Sequence, residues 1–265
     1  MLPYISIFRL KLPMYGTCIL AGILITGLLC FYLCKRRNQD FLNLILISAV
    51  VIAAGFTGAK LLYIWVSYPK KDFLKVLFSL LIPDKASGLA SGFVFYGGLL
   101  LGIPAYFLGV KLAHCKTFEY ADYYAVSIPL VHGFGRLGCF CAGCCYGIPY
   151  DGIFAVHYTH PLSSVPVEIG IFPVQLIEGL CLIILSQVIL ILFMKNRHQL
   201  FFVYIFSYCI IRFVLEKYRF DYERGGIGPF STSQIISLAI FVFSIFLYII
   251  INKKNCQKML NRDIL

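Results

Sequence analysis

Apolar residues run along this chain in long unbroken stretches rather than in alternation with polar ones. Seven such stretches can be drawn, at about 14–34, 41–66, 92–113, 121–145, 171–194, 200–218 and 232–252. Each reaches or approaches the roughly 20 residues that cross a ~30 Å hydrocarbon core at 1.5 Å per residue. Runs of this kind predict helices, which satisfy their own backbone in lipid, and their continuity excludes an alternating transmembrane β-barrel. An eighth stretch, Asp72 to Pro83, is too short to span. Its apolar Phe73, Leu74, Val76, Leu77, Leu80 and Leu81 beside Lys70, Lys71 and Lys75 predict a helix lying in the membrane interface. The first run begins only after Arg9, Lys11 and Pro13, and no small-residue cleavage site follows it, so it reads as a retained span. The expected fold is all-α: a polytopic membrane protein with about seven transmembrane helices and a short interfacial helix. No linker or break in composition divides the chain, so residues 1–265 read as a single integral-membrane domain.

Composition narrows the class further. Sixty per cent of the 265 residues are apolar and only 13% are charged, where a soluble domain carries roughly 25% charged residues. The mean hydropathy is +0.85. These values exclude a soluble globular enzyme, a disordered chain and a secreted disulfide scaffold. The 23 Lys and Arg against 12 Asp and Glu leave a net charge of +11, read as attraction to anionic lipid headgroups and not to nucleic acid. Placing the tail with Lys253, Lys254, Lys258 and Arg262 in the cytoplasm puts 11 basic residues on that side against 9 on the other, a narrow positive-inside preference.

Within or at the ends of the spans lie Lys60, Arg136, Glu178, Arg212 and Glu216. A charge at the bilayer centre costs about 2.5–3.5 kcal/mol on insertion scales, so each is a candidate functional residue. Arg212 and Glu216 stand one helical turn apart and can neutralise each other as a structural pair. Arg136 has no acid one turn away. It sits in Val131-His132-Gly133-Phe134-Gly135-Arg136-Leu137-Gly138-Cys139, where glycines permit close approach by backbone or ligand. Such an arginine suits a lipid phosphate, because guanidinium binds phosphate as a fork and keeps its charge; packing against a distant acid is the alternative. Gly98 and Gly102 stand at small-xxx-small spacing and predict a helix-packing face. Lys60 can snorkel to an interface. In the polar loop after the fourth run, His157 and His160 read as solvated residues rather than a metal pair.

Four of the eleven cysteines cluster as Cys139, Cys141, Cys144 and Cys145. On a continuing helix Cys141 shares a face with Cys144 and Cys145. The spacing is atypical of structural zinc, so no metal and no cofactor are expected, and the cysteines read as small packing residues lining a site. Metal binding and covalent or redox work are the lesser alternatives.

Gly135-Arg136-Leu137-Gly138-Cys139-Phe140 and the features around it resemble the phosphatidylglycerol–prolipoprotein diacylglyceryl transferase family. Tyr15-Gly16 matches the family's first-span tyrosine, and Gly58-Ala59-Lys60 stands where its Gly-Ala-Arg is usual. Phe95-Tyr96-Gly97-Gly98 matches its Phe-His-Gly-Gly, and Pro173-Val174-Gln175-Leu176-Ile177-Glu178 is similar to its Pro-Thr/Ser-Gln-Leu-Tyr-Glu. Tyr208, Arg212, Glu216 and Arg219 fall at the spacing of its late Tyr/Arg/Glu/Arg helix, and Gln234-Ile235-Ile236-Ser237 looks like the opening of its last span. The departures fall in the signature Gly-Arg-x-Gly-Asn-Phe-x-Asn-x-Glu-x-x-Gly: Cys139 and Ala142 replace the asparagines and Cys144 the glutamate. Tyr96 replaces the catalytically implicated histidine.

The resemblance implies transfer of a diacylglyceryl group from phosphatidylglycerol to the lipobox cysteine of a prolipoprotein signal peptide. It also implies a multi-pass protein of the bacterial plasma membrane, in contact with membrane lipids. Arg136, Tyr96, Arg212 and Glu216 are then the expected catalytic residues; Tyr15, Gly98, Cys139, Cys144, Tyr208 and Arg219 are expected to bind substrate. Tyr96, with an ordinary pKa near ~10, can orient a phosphate or thiol but is a poor base. His132, one turn before Arg136, is the other candidate for proton transfer or else a packed polar residue. A non-catalytic lipid-binding or transport relative, and a lipid transferase with another acceptor, are the alternative readings.

Overall fold

A computed structural model of the chain describes residues 4–7, 10–69, 73–79, 94–116, 118–159, 165–166, 168–220 and 226–260. In chain order its elements are strands β1 (Tyr4–Ile7) and β2 (Leu10–Pro13), then helices α1 (Met14–Arg36), α2 (Phe41–Ser67), α3 (Phe73–Ser79) and α4 (Phe95–Leu112). There follow α5 (Ala121–Ala142), α6 (Val174–Met194), α7 (Leu200–Leu215), a 3₁₀ turn (Glu216–Tyr218), β3 (Gly226–Ile227), β4 (Phe230–Ser231) and α8 (Thr232–Leu260). The helices α1, α2, α5, α6 and the Thr232–Lys253 part of α8 are long and apolar enough to cross a membrane. The two remaining predicted runs form α4, of 18 residues, and α7, of 16. The protein is a mostly helical, multi-pass membrane protein of the expected all-α class. Of the expected interfacial helix, Phe73–Ser79 is helical and the rest of Asp72 to Pro83 lies outside the described residues.

The chain divides into two compact units, one of Leu33–Tyr120 and the other of Met1–Tyr32 with Ala121–Leu265. In the smaller unit α2 and α4 are packed through glycine. A Cβ built on Gly58 would overlap the carbonyl of Gly97, and one on Gly98 would lie 3.1 Å from the carbonyl oxygen of Gly55. Only backbone fits at such a crossing, so the helices meet where the small residues stand. The expected Gly98–Gly102 face is corrected in part: nothing described lies within 4 Å of a Cβ on Gly102, and the contact runs through Gly97 and Gly98. The start of α2 is capped by Asp40, whose carboxylate accepts from the Leu42 N–H at 2.8 Å, satisfying a donor that the first helical turn otherwise leaves open.

In the larger unit α5 and α6 pack side by side and α7 lies against both. Their shared core holds Tyr123 edge-on to Phe193, with ring centroids 5.0 Å apart, together with buried Leu182, Ile189 and Leu200. The Ser186 hydroxyl donates to the Val126 carbonyl at 2.8 Å, tying α6 to α5. Buried Asp122, in the first turn of α5, accepts from the Leu200 N–H at 2.8 Å and so caps α7 from another helix. Between α5 and α6 the polar loop folds over a small core of Tyr158, Val165 and Ile171, with Ile171 bridged to both Pro149 and Val156. His157 is exposed, as expected of a solvated loop residue, while His160 lies outside the described residues.

Candidate active site

Two glycines bring α5 and α6 close enough for their charges to meet. A Cβ on Gly133 would fall 2.7 Å from Cγ1 of Ile183 and 3.0 Å from the Gly179 carbonyl oxygen; one on Gly179 would fall 3.3 Å from Cβ of Arg136. With neither side chain present, Arg136 on α5 reaches the neighbour of Gly179: its Nε lies 3.0 Å from Oε2 of Glu178. The same oxygen is 3.6 Å from Nη1 of Arg212 on α7. Arg212 Nη2 in turn lies 2.5 Å from Oε2 of Glu216, the i,i+4 pair expected from the sequence, and Arg219 Nε is 4.0 Å beyond. Five charged residues thus alternate in sign as Arg136, Glu178, Arg212, Glu216 and Arg219.

The end of β4 and the start of α8 brace this row. Ser231 Oγ donates to Oε1 of Glu216 at 3.1 Å, and Arg212 Nη2 donates to Ser233 Oγ at 3.4 Å. Gln234 accepts from the Ser231 N–H at 3.0 Å and donates to the Phe213 carbonyl at 3.2 Å. Glu178 is fully buried, and Arg212, Glu216 and Arg219 nearly so. Three guanidinium groups against two carboxylates leave one positive charge uncompensated within the row. Arg136 Nε and Arg212 Nη1 also face their acids without an aligned hydrogen bond among the described residues. Buried donors with a surplus of positive charge suit an anion carrying several acceptor oxygens.

The signature segment folds differently from a continuing helix. Helix α5 ends at Ala142, and Gly143 and Cys145 adopt left-handed backbone, with φ of 74° and 58°. Such a reversal ends a helix readily at glycine and only with strain at other residues. The Cys144 N–H returns to the Cys139 carbonyl at 3.1 Å. The expectation that Cys141 shares a face with Cys144 and Cys145 is therefore corrected: the sulfurs of Cys139, Cys144 and Cys145 lie within 4.8 Å of one another, and Cys141 is not in that group. Gln175 holds the turn from α6, its Nε2 donating to the Cys144 carbonyl at 2.9 Å and to Tyr158 Oη at 3.3 Å. The Cys144 thiol also reaches back along the turn, donating to the Cys139 carbonyl at 3.8 Å. Two residues on, a Cβ at Gly147 would overlap the carbonyls of Phe172 and Tyr218, and Gly147 is bridged to Arg219. That bridge fixes the end of the charged row beside the cysteine turn.

Tyr15, at the start of α1, packs on Gly138, where a Cβ would lie 3.1 Å from the Tyr15 backbone. Tyr208 stands edge-on to His132 with ring centroids 5.4 Å apart and stacks on Tyr204 at 5.9 Å. No described residue lies within 4 Å of a Cβ built on Gly135. Lys60 lies over the Tyr63 ring at 5.0 Å. Tyr96 is in the first turn of α4, and its side chain lies outside the described residues. The structure therefore joins Arg136, Arg212, Glu216 and Arg219 in one row. It adds Glu178, which sequence reasoning noted as an intramembrane acid but did not assign to the site. Its signal was the charge itself, at the end of Pro173–Glu178.

The prolipoprotein diacylglyceryl transferase family matches residues 3–250 of the chain. The chain belongs to this family. A phosphatidylglycerol–prolipoprotein diacylglyceryl transferase of Clostridium tetani is 32% identical over 245 residues, covering 92% of this chain and 94% of that protein. A second such transferase of Clostridium perfringens is 32% identical over 253 residues, covering 92% of each. One from Clostridioides difficile is 27% identical over 267 residues, covering 94% of this chain and 95% of its own. The diacylglyceryl transferase match thus runs through both units and includes every member of the charged row.

Proposed function

We propose that the protein transfers the diacylglyceryl group of phosphatidylglycerol to the thiol of a prolipoprotein cysteine, within the plasma membrane of a bacterium. Membership of the diacylglyceryl transferase family over nearly the whole chain supports the reaction. The observation that carries the site assignment is the buried row with three arginines, two glutamates and guanidinium donors left without aligned acceptors.

Arg136 and Arg212 clamp the lipid phosphate, Glu178 sets the direction of both guanidinium groups, and Glu216 with Arg219 completes the row. In the reaction a C–S bond forms at the carbon of the diacylglyceryl unit that bears the phosphate ester. The C–O bond to that phosphate breaks, and its electron pair leaves with glycerol phosphate. Negative charge grows on the departing phosphate, where preorganised cationic donors stabilise it most. The acceptor thiol, with an ordinary pKa of ~8.5, is already a few per cent thiolate near neutrality, so a positive field suffices in place of a strong base. Tyr15 and Tyr208 flank the substrate; the binding roles of Tyr96 and Gly98 rest on the resemblance.

The test is mass spectrometry of a lipobox peptide after incubation with the purified protein and phosphatidylglycerol. A diacylglyceryl adduct is expected with the native protein and not with Arg136→Ala. No adduct from folded, lipid-binding protein overturns the prolipoprotein assignment.

A further inference from the structure

The turn after α5 gathers three sulfurs that the clamp does not use. Cys139, Cys144 and Cys145 carry the ligand atoms, all within 4.8 Å of one another, and among the described residues the group includes no carboxylate or imidazole. All three are free and half-buried thiols. The convergence is built by the backbone: α5 stops at Ala142, Gly143 and Cys145 reverse the chain, and the Cys144 N–H closes on Cys139. Gln175 pins the same turn from α6 through the Cys144 carbonyl. A tetrahedral cation with metal–sulfur bonds of ~2.3 Å needs sulfurs about 3.8 Å apart, so the three close on such an ion by side-chain adjustments of about 1 Å. A donor set of sulfur alone selects soft, thiophilic cations over magnesium or calcium. Charge is matched too. Arg136 lies one turn before Cys139 on α5, and Arg219 is bridged to Gly147 just past Cys145, placing cationic groups beside thiolates that together outweigh a divalent ion.

We propose that Cys139, Cys144 and Cys145 form a three-thiolate site for one thiophilic d10 cation such as zinc, its fourth position open to the sulfur of the acceptor cysteine. The fourth-ligand role rests on the function proposed above; the metal site does not. Three protein ligands with one open position is the arrangement of catalytic rather than structural zinc. A coordinated thiol loses its proton, here to bulk water. The resulting thiolate attacks the lipid carbon, glycerol phosphate leaves with the C–O electron pair, and the neutral thioether, a weaker ligand, departs. No change of metal oxidation state is involved.

The experiment uses the full chain in detergent, reduced, stripped with chelator, loaded with Zn²⁺ and dialysed before elemental analysis. One zinc per chain is expected, and none in the C139S/C144S/C145S variant. Cys181→Ser, outside the cluster, is expected to retain it, and thermal unfolding of each variant establishes that it is folded. Co²⁺ in place of zinc is expected to give a sulfur-to-cobalt charge-transfer band that shifts with a lipobox peptide and not with its Cys→Ser analogue. Absence of zinc from the reduced native protein, or equal zinc in the triple variant, overturns the site. An unshifted cobalt band, or equal peptide lipidation after chelation, overturns the fourth-ligand role. Zinc bound stoichiometrically with no lipidation under any condition leaves the site standing and overturns the proposed reaction instead.

Discussion

Nε of Arg136 lies 3.0 Å from Oε2 of Glu178, and the glycine after that glutamate is what lets the two helices come so close. The pair joins α5 to α6, and through Arg212 it extends to α7. Removing one member of a buried ion pair strands its partner, which costs about 3–5 kcal/mol. Glu178→Gln is therefore expected to lower thermal stability by about that amount and to reduce lipid transfer at least ~10-fold, the factor for 1.4 kcal/mol of lost transition-state stabilisation. The double variant R136Q/E178Q is expected to recover stability, because the net charge of the row returns to its native value, but not activity. Thermal unfolding and the peptide assay separate the two effects. Recovery of both would show that the pair is structural only.

The crossing itself can be tested by volume. Gly133→Ala places a methyl 2.7 Å from Ile183 and 3.0 Å from the Gly179 carbonyl; overpacking of this kind costs about 1–3 kcal/mol. Gly135→Ala meets nothing within 4 Å among the described residues and is expected to be neutral or stabilising by up to about 1 kcal/mol, the helix-propensity difference. Unfolding temperatures of the two variants in one detergent should fall on opposite sides of, or at least far apart around, the native value.

Gln175 is expected to control the cysteine turn. Its side chain is almost completely buried and joins the Cys144 carbonyl to Tyr158. Gln175→Leu leaves a buried carbonyl and hydroxyl unpaired, at about 1–3 kcal/mol. Alkylation of Cys144 and Cys145, followed by mass spectrometry, should be faster in the variant. Unchanged rates would show that the turn holds itself.

Alkaline pH should loosen the loop before the helices. Burial pushes the Tyr158 phenol up to about 12, above its unfolded value near ~10. The folded state thus holds this proton more tightly, and the resulting stability is fully present below about pH 10 and lost as pH rises towards 12. Exposure of the loop, followed by limited proteolysis between pH 9 and 12, should rise in the native protein. In Tyr158→Phe that pH-dependent component should be missing.

Much of the architecture is legible along the chain because lipid imposes a one-dimensional rule. A run of about 20 apolar residues must close its own hydrogen bonds, and the helix is the local way to do so. Hence α1, α2 and α6 start and stop within a few residues of the apolar runs, and α8 starts with its run at Thr232. The Arg212–Glu216 pair is legible for the same reason, since i,i+4 contact is set by helical pitch. The end of α5 is not. The apolar run continues through Cys145, and only the hydrogen bonds that hold the turn after Ala142 against Gln175 and the segment Tyr218–Phe220 decide that the helix stops at Ala142.

The amino-acid sequence alone determined a helical membrane protein, its family and the arginines at its centre, because each of these is written in local composition or in ordered motifs. Tertiary structure alone decided that Glu178 is the acid of Arg136 and that three of the four clustered thiols converge. Those partners come from different helices or from a reversed turn. Their meeting depends on how closely backbones cross and where a left-handed residue turns the chain, neither of which is carried by periodicity.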